Sequence, residues 1–363
     1  MAAHGTMAAG RGGARAGRYA AVLLLTLLLV VACESSVPGI FHTLATENER
    51  DNRNLHDDLT VSAVAAVGGV YYVAAHGMWS RPAARDSWQA VARPRPGSAE
   101  VPVLGMAQSG GTLCVGTENG VYRAAADPTS PPWHRAVGVS GQIVRVFAIG
   151  GREQEILAFA TDHEAYEVYL STDACANFTE VTPGGAAGRP FDAFHDGNRY
   201  WLTIGNTVYS GYDLHSLAAE DTPPEAEAAF RGIWCFEGGG RCLFANAIGE
   251  VWEHDGNGWE LLGQIEPPDD EEETVPLTLF TQIGDQVLVG TRGYGFYQFA
   301  EQDLDLDNVR RGPRSTSQLY RAHVTVFARP GNGNLVFAGT AGDGLSSIDI
   351  GTAAKDTGTW DWE

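Results

Sequence analysis

Apolar residues along most of this chain come in short runs broken by Gly, Pro and polar turns. No stretch keeps a 3.6-residue period long enough to predict an extended amphipathic helix. Seven segments share one pattern: VYYVAAHGMWS from Val70, TLCVGTENGVYR from Thr112, EILAFATDHEAYEVYLS from Glu155, RYWLTIGNTVYSG from Arg199, RCLFANAIGEVWEH from Arg241, QVLVGTRGYGFYQF from Gln286 and NLVFAGTAGDGLSSI from Asn334. Each unit predicts four strands. A first apolar strand and a turn lead to a second that ends in a small residue; an aromatic-containing third strand and a loop lead to the fourth.

The small residue recurs as Ala74, Gly116, Ala160, Thr203, Ala245, Gly290 and Ala338 or Gly339. Taking Gly339, the spacings are 42, 44, 43, 42, 45 and 49 residues. A period in the forties with four strands per unit is that of a β-propeller blade. The expectation is therefore an all-β, seven-bladed β-propeller of four-stranded blades over residues 58–363. Inner strands covered on both faces should read as continuous apolar runs, as Leu157-Ala158-Phe159-Ala160 does. The small residues would let blades approach near the narrow hub. Trp88, Trp133, Phe178, Trp259 and Trp360 are expected to lead fourth strands, where the sheets splay apart.

The first 57 residues differ. Arg11, Arg15 and Arg18 precede a 14-residue apolar run at 19–32 (YAAVLLLTLLLVVA). That run is too short to span a bilayer, which needs ~20 residues, and suits the core of a secretory signal. The run ends Val30-Val31-Ala32-Cys33, which resembles the lipobox of bacterial lipoproteins. The resemblance implies a lipoprotein signal peptide over 1–32, cleavage after Ala32, diacylglycerol on the Cys33 sulfur and an acyl chain on the freed amine. The membrane partner would then be engaged through lipid on Cys33. Glu34 in place of Asp favours an outer membrane, on its periplasmic or surface side. Residues 33–57 are expected to be a tether, with 40–44 (IFHTL) a candidate closing strand on the last blade.

Composition narrows the function classes. The formal net charge is −21, and one Lys, Lys355, stands beside 23 Arg. Removing residues 1–32 and their three arginines takes the charge to −24. Nucleic-acid backbones demand a basic face, so they are excluded as partners. Cys235 and Cys242 flank CFEGGGRC, a predicted hairpin, and are candidates for a cross-strand disulfide, with two buried free thiols as the alternative. No HxH or HExxH occurs, so no metal or other cofactor is expected. Asp303, Asp305 and Asp307 open like a calcium loop but lack its Gly and final acid, and 269–273 (DDEEE) reads as a solvated spacer.

Ser171-Thr172-Asp173-Ala174-Cys175-Ala176-Asn177-Phe178 resembles the Asp-box of sialidase-type (BNR) propellers, with Ser171, Asp173 and Phe178 in the pattern's places and Cys175 in that of its Gly. Asp255-Gly256-Asn257-Gly258-Trp259 is similar to a degenerate copy. The turns in 116–123 (GTENGVYR) and 290–293 (GTRG) resemble those of bacterial sensor-type and photosynthesis-assembly propellers. In the Asp-box family the motif lies between third and fourth strands, opposite the usual ligand face, so the resemblance speaks for fold and not activity. Sialidases also carry an F-R-I-P start, an Arg cluster and a Tyr–Glu pair. Ala92-Arg93-Pro94 is a poor match for that start, and no catalytic residue is carried over.

A ligand face is expected at the loops between second and third strands, which offer His76, Glu118, Asp162, His163, Glu164, Arg292, Tyr294 and Asp343. The expected function is a lipid-anchored, non-catalytic propeller scaffold that binds a protein or glycan at the bacterial cell envelope. The alternative is a lipid-anchored sialidase-like glycoside hydrolase or lyase.

Overall fold

The computed structural model describes Leu55, residues 59–349 apart from 86, 95–100, 128, 222, 224–227, 237–239, 268–273, 284–285, 330–334 and most of 301–321, and the strand at 361–362. The chain divides between Asp51 and Asn52, and every strand belongs to the unit Asn52–Glu363. Cys33 and the apolar run before it, residues 40–44, the acidic runs at 269–273 and 303–307 apart from Leu306, and Trp360 lie outside the described residues.

Among the described residues, twenty-eight strands form seven four-stranded sheets, and there is no α-helix. Within each blade the strands follow chain order, each antiparallel to the next. The first, innermost strands are Val61–Val67, Val103–Ser109, Gln142–Ile149, Pro190–His195, Phe230–Cys235, Leu277–Ile283 and Val324–Ala328. Fourth strands are two residues long in every blade but the fifth, where Trp259–Gln264 runs for six. Short outer strands leave little free edge.

The aromatic residues stand where the splaying argument puts them. Trp88 and Phe178 are buried immediately before the fourth strands of blades one and three, and Trp133 packs partly buried in the equivalent place in blade two. Tyr72, Phe159, Phe230, Phe244, Phe296 and Phe337 are fully buried between sheets. Each such side chain contributes about 1.5–3 kcal/mol as an upper estimate.

The small residues ending the second strands do abut the next blade. A Cβ on Gly116 would lie 2.5 Å from Val146 Cγ2 of blade three, and one on Gly339 would lie 2.6 Å from Val61 Cγ1 of blade one. Opposite each small residue the first strand carries an irregularity in register. Such shifts fall between Val61 and Ala63, Val103 and Gly105, Phe230 and Gly232, and Val324 and Val326, with counterparts in the other three blades.

A bulge leaves a residue unpaired and turns its side chain aside. Here three of those residues reach the neighbouring blade. Ser62 Oγ donates to the Val103 carbonyl (2.8 Å), Thr278 Oγ1 to that of Val324 (3.0 Å), and Thr325 Oγ1 to that of Val61 (2.6 Å). Between blades two and three, Gly105 lets the backbones touch, since a Cβ there would sit 2.4 Å from the Val146 carbonyl oxygen.

The Thr325–Val61 bond closes the ring between blades seven and one. A bridge between Thr60 and Ala341 and a bond from Gly344 N to the Leu59 carbonyl (3.1 Å) reinforce it. Leu55, within the stretch expected to be tether, is buried with Val61, Val64 and Phe337 at this junction. Blade seven takes its own fourth strand from Asp361–Trp362.

Candidate functional site

The first strands all run the same way along the hub, so their leading ends share one rim with the turns between second and third strands. A hydroxyl at the end of the second strand fixes those turns. Thr117 Oγ1 donates to Gly120 O (3.1 Å), Thr161 to Ala165 O (2.8 Å), Thr291 to Gly295 O (2.8 Å) and Thr340 to Gly344 O (2.9 Å). In return each hydroxyl accepts a backbone N–H, from Asn119, His163, Tyr294 and Asp343 respectively. In blade five the Asn246 side chain accepts from Ile248 N and Glu250 N to do the same work.

The eight residues expected on this face all occupy such turns. Asp162, His163 and Glu164 share one, where Asp162 Oδ1 accepts from Glu164 N and Ala165 N. Those backbone bonds hold the Asp162 carboxyl below its ordinary range, so the group is committed to the turn. His76 and His163 adopt positive φ, 52° and 80°. Glu118 and Tyr294 are half-buried, and Asp343 is exposed. These residues stay distributed around the rim, and only Arg292 joins a larger cluster.

That cluster is cationic. Arg145 lies in the first strand of blade three, Arg189 immediately precedes that of blade four, and Arg231 is second in that of blade five. Arg292, from blade six, is bridged through its backbone to His323, which leads into the first strand of blade seven. Phe191 is a common neighbour: its carbonyl accepts from Arg145 Nη1, and the Arg189 and Arg231 guanidinium carbons stand 5.8 and 5.7 Å from its ring centroid.

Burial lowers the Arg231 pKa, and Arg292 and Arg189 lower it further. Burial likewise lowers that of His323, reinforced by Arg292 and Arg231. Asp192 supplies the opposing charge, its Oδ1 3.8 Å from Arg145 Nη1 and its Oδ2 accepting from Ile233 N at 3.1 Å. Burial lowers Arg145 and raises Asp192, and each partner opposes the other's shift. The Arg145 side chain is 37% exposed, but to the channel that all seven first strands line, deep inside the ring. The channel wall mixes Phe147, Phe194, Trp234, Phe280 and Phe327 with the polar side chains of Gln108, Glu153, Thr281 and Arg329 beside Arg145 and Asp192, around a cavity of about 310 Å³.

Sequence reasoning missed Arg145, Arg189, Arg231, Asp192 and His323. A signal existed, because the three arginines fall about one repeat apart on a chain almost devoid of lysine.

The opposite rim carries the turns between third and fourth strands. In blades two to five each contains an Asp whose Oδ1 accepts backbone N–H groups: Asp127, Asp173, Asp213 and Asp255. Asp173 also accepts from Ser171 Oγ (2.9 Å) and Asn177 Nδ2 (2.7 Å), and these bonds, led by the Asn177 backbone, hold its pKa at about 2. Cys175, in the glycine place, has φ 60° and is bonded to Cys114 of blade two. The Cys235–Cys242 pair is a cross-strand disulfide between directly opposed residues.

On this rim too, Tyr200 donates to Glu155 (2.8 Å), and the His195 ring packs edge-on to Tyr200 at 4.4 Å. Burial and then Glu155 push the Tyr200 hydroxyl up to about 12. Among the described residues no three His, Cys, Asp or Glu side chains gather as a metal site requires.

No known protein-family profile matches the chain, and no curated protein matches it in sequence. Its likeness is to solved structures. The WD40 β-propeller domain of Doa1 is 13% identical with a TM-score of 0.56, covering 81% of this chain and 93% of that one. The WD40 repeats of RRP9 are 12% identical with a TM-score of 0.59, covering 81% and 95%. YCF48 bound to a D1 peptide is 11% identical with a TM-score of 0.58, covering 81% and 94%. At such identities the likeness establishes the architecture alone, and with seven sheets closed into a ring it makes this chain a seven-bladed β-propeller.

Proposed function

We propose that this protein is a non-catalytic propeller scaffold, anchored by lipid on Cys33 at the bacterial cell envelope, that binds a protein partner through the rim carrying the arginines. The observation that carries the reading is the convergence of Arg145, Arg189, Arg231 and Arg292 on a chain of net charge −21. An acidic surface with one cationic mouth repels most anionic partners and orients one whose acidic segment meets the mouth. The stapled turns around it are rigid, so docking orders little of the scaffold. A propeller neighbour bound to a peptide gives the reading a precedent in architecture.

A sialidase-like reading finds less support in the geometry. Its Tyr–Glu pair would have to work beside the arginines, but Tyr200 and Glu155 lie at the trailing ends of the first strands. The raised pKa of Tyr200 also runs against a nucleophilic role.

Crosslinking in intact membranes followed by capture tests the scaffold. A stoichiometric envelope protein, lost in Arg189→Glu/Arg292→Glu, is expected. Capture unchanged by that variant would refute the docking rim. Cys33→Ser should leave an unprocessed precursor without labelled fatty acid, and continued labelling would refute the anchor.

A further inference from the structure

The arginines at the leading ends of the first strands stand without acids. Among the described residues, the carboxylates that pair with arginine are Asp192, with Arg145, and Glu253, with Arg241; none reaches Arg189, Arg231 or Arg292. The chain holds 45 Asp and Glu against 24 Lys and Arg, so the lack of counter-charge is local. Arg189 and Arg292 are exposed, and Arg231 and His323 are half-buried. Only Nε of the Arg231 guanidinium is shut off from solvent, so its terminal nitrogens are the ones a ligand would meet. The four groups come from blades four, five, six and seven, in the order Arg189, Arg231, Arg292, His323. Their mutual influence follows that order: Arg292 and Arg189 act on Arg231, and Arg292 and Arg231 act on His323. Positive charge therefore lies along an arc, with the Phe191 ring beside its first two members. None of the four lines the hub channel, so the arc belongs to the rim.

Neighbouring like charges repel, and a bound anion relieves all of them only if its own charge is repeated along the same line. A single carboxylate or phosphate meets one or two neighbouring guanidiniums; an arc drawn from three blades asks for more. We infer that this arc is a binding site for a linear oligophosphate, its successive phosphoryl groups paired with Arg189, Arg231 and Arg292. Guanidinium forks match phosphoryl oxygens two at a time, and such charge-assisted bonds are the strong ones. The Thr291 staple and the bond from Arg292 N to the Pro276 carbonyl (2.9 Å) hold one end of the arc in place before any ligand arrives. An acidic peptide offers the same charge only by ordering several flexible side chains, whereas a short phosphate chain carries it on its backbone. The inference rests on the reading of this rim as an anion-docking face and names the anion that fits it.

Titration calorimetry on the full-length protein tests it with inorganic tripolyphosphate, pyrophosphate, phosphate and citrate. One saturable site is expected, with affinity falling from tripolyphosphate through pyrophosphate to phosphate, and with phosphate and citrate each at least about tenfold weaker than tripolyphosphate. Arg189→Gln/Arg292→Gln, which alters two exposed side chains, should weaken tripolyphosphate at least about tenfold. Arg85→Gln removes the same charge from an exposed turn between third and fourth strands, on the opposite rim, and should leave the affinity unchanged. Thermal melts establish that each variant is folded. Phosphate or citrate binding as tightly as tripolyphosphate, undiminished binding in Arg189→Gln/Arg292→Gln, an equal loss in Arg85→Gln, or no saturable heat up to about 10 mM tripolyphosphate would overturn the proposal. Partner capture that is lost in Arg189→Glu/Arg292→Glu survives any of those results, and specific tripolyphosphate binding survives a failure to capture a partner, so the two readings fail separately.

Discussion

Cys175, in the turn between the third and fourth strands of blade three, is covalently joined to Cys114 in the second strand of blade two, with Cα atoms 6.2 Å apart. The residue that takes the glycine place of the turn thus sews two blades together while Asp173 holds the turn around it. In the chain-entropy account a bridge closing a loop of this length is worth about 4 kcal/mol, and the short Cys235–Cys242 loop about 2.5 kcal/mol. Cys114→Ala/Cys175→Gly should therefore lower stability more than Cys235→Ala/Cys242→Ala, as read from denaturant midpoints. The reverse order would mean that the inter-blade bridge constrains little.

Acid should weaken the fold before its carboxylates titrate. His195 Nδ1 accepts from Gly197 N (3.0 Å) and His254 Nδ1 from Gly256 N (3.1 Å), so both rings are held neutral. Burial lowers both pKa values below the ordinary histidine value. The unfolded chain then binds more protons than the folded one, so stability is complete above about pH 6.5 and is lost as pH falls through that region. Equilibrium unfolding at a series of pH values should show the slope, and His195→Asn/His254→Asn should flatten it.

The turn that Asp173 holds should fail at a lower pH. With a pKa of about 2, Asp173 stabilises the fold above the unfolded value near 3.8, and the contribution disappears as pH falls towards 2. Asp173→Ala is expected to cost about 1–2 kcal/mol at neutral pH. Far-ultraviolet circular dichroism should meanwhile stay β-dominated. An unchanged melting temperature would mean that the turn contributes nothing to stability.

Hub contacts should be sensitive to single atoms. Gly105→Ala forces a Cβ into the Val146 backbone and is expected to cost at least about 2 kcal/mol. Thr325→Val keeps the volume but removes the bond to Val61, for about 1 kcal/mol. A larger loss for Thr325→Val than for Gly105→Ala would contradict the close-packing account of the hub.

The number of blades, their order and their strand count were legible because one pattern repeats seven times. A small residue before a turn and an aromatic before an outer strand recur at nearly constant spacing, and both do in the structure what the splayed geometry requires. The Cys235–Cys242 bridge was legible as a candidate because a hairpin brings near neighbours together. The Cys114–Cys175 bridge was not, since it depends on how two blades register against each other.

The arginine cluster was hidden for a related reason. Hydrophobic pattern gives a strand's faces, but a one-residue bulge re-aims a side chain without leaving a trace in that pattern. Arg231 and Ser62 look unrelated in sequence, yet they occupy the same irregular place in their blades. The eight residues expected on a ligand face do lie in the turns between second and third strands, where the Asp162 carboxylate is taken up by its own turn.

Closure by Thr325 onto Val61 repeats the joint that Ser62 makes onto Val103, so the wheel has no privileged seam. Where translation starts is then arbitrary as far as the hub is concerned. A circular permutant opened between blades one and two, its old ends spliced by a flexible linker, should assemble the same ring. The position at which a fusion or a tether leaves the wheel can thus be chosen to aim either rim at a membrane.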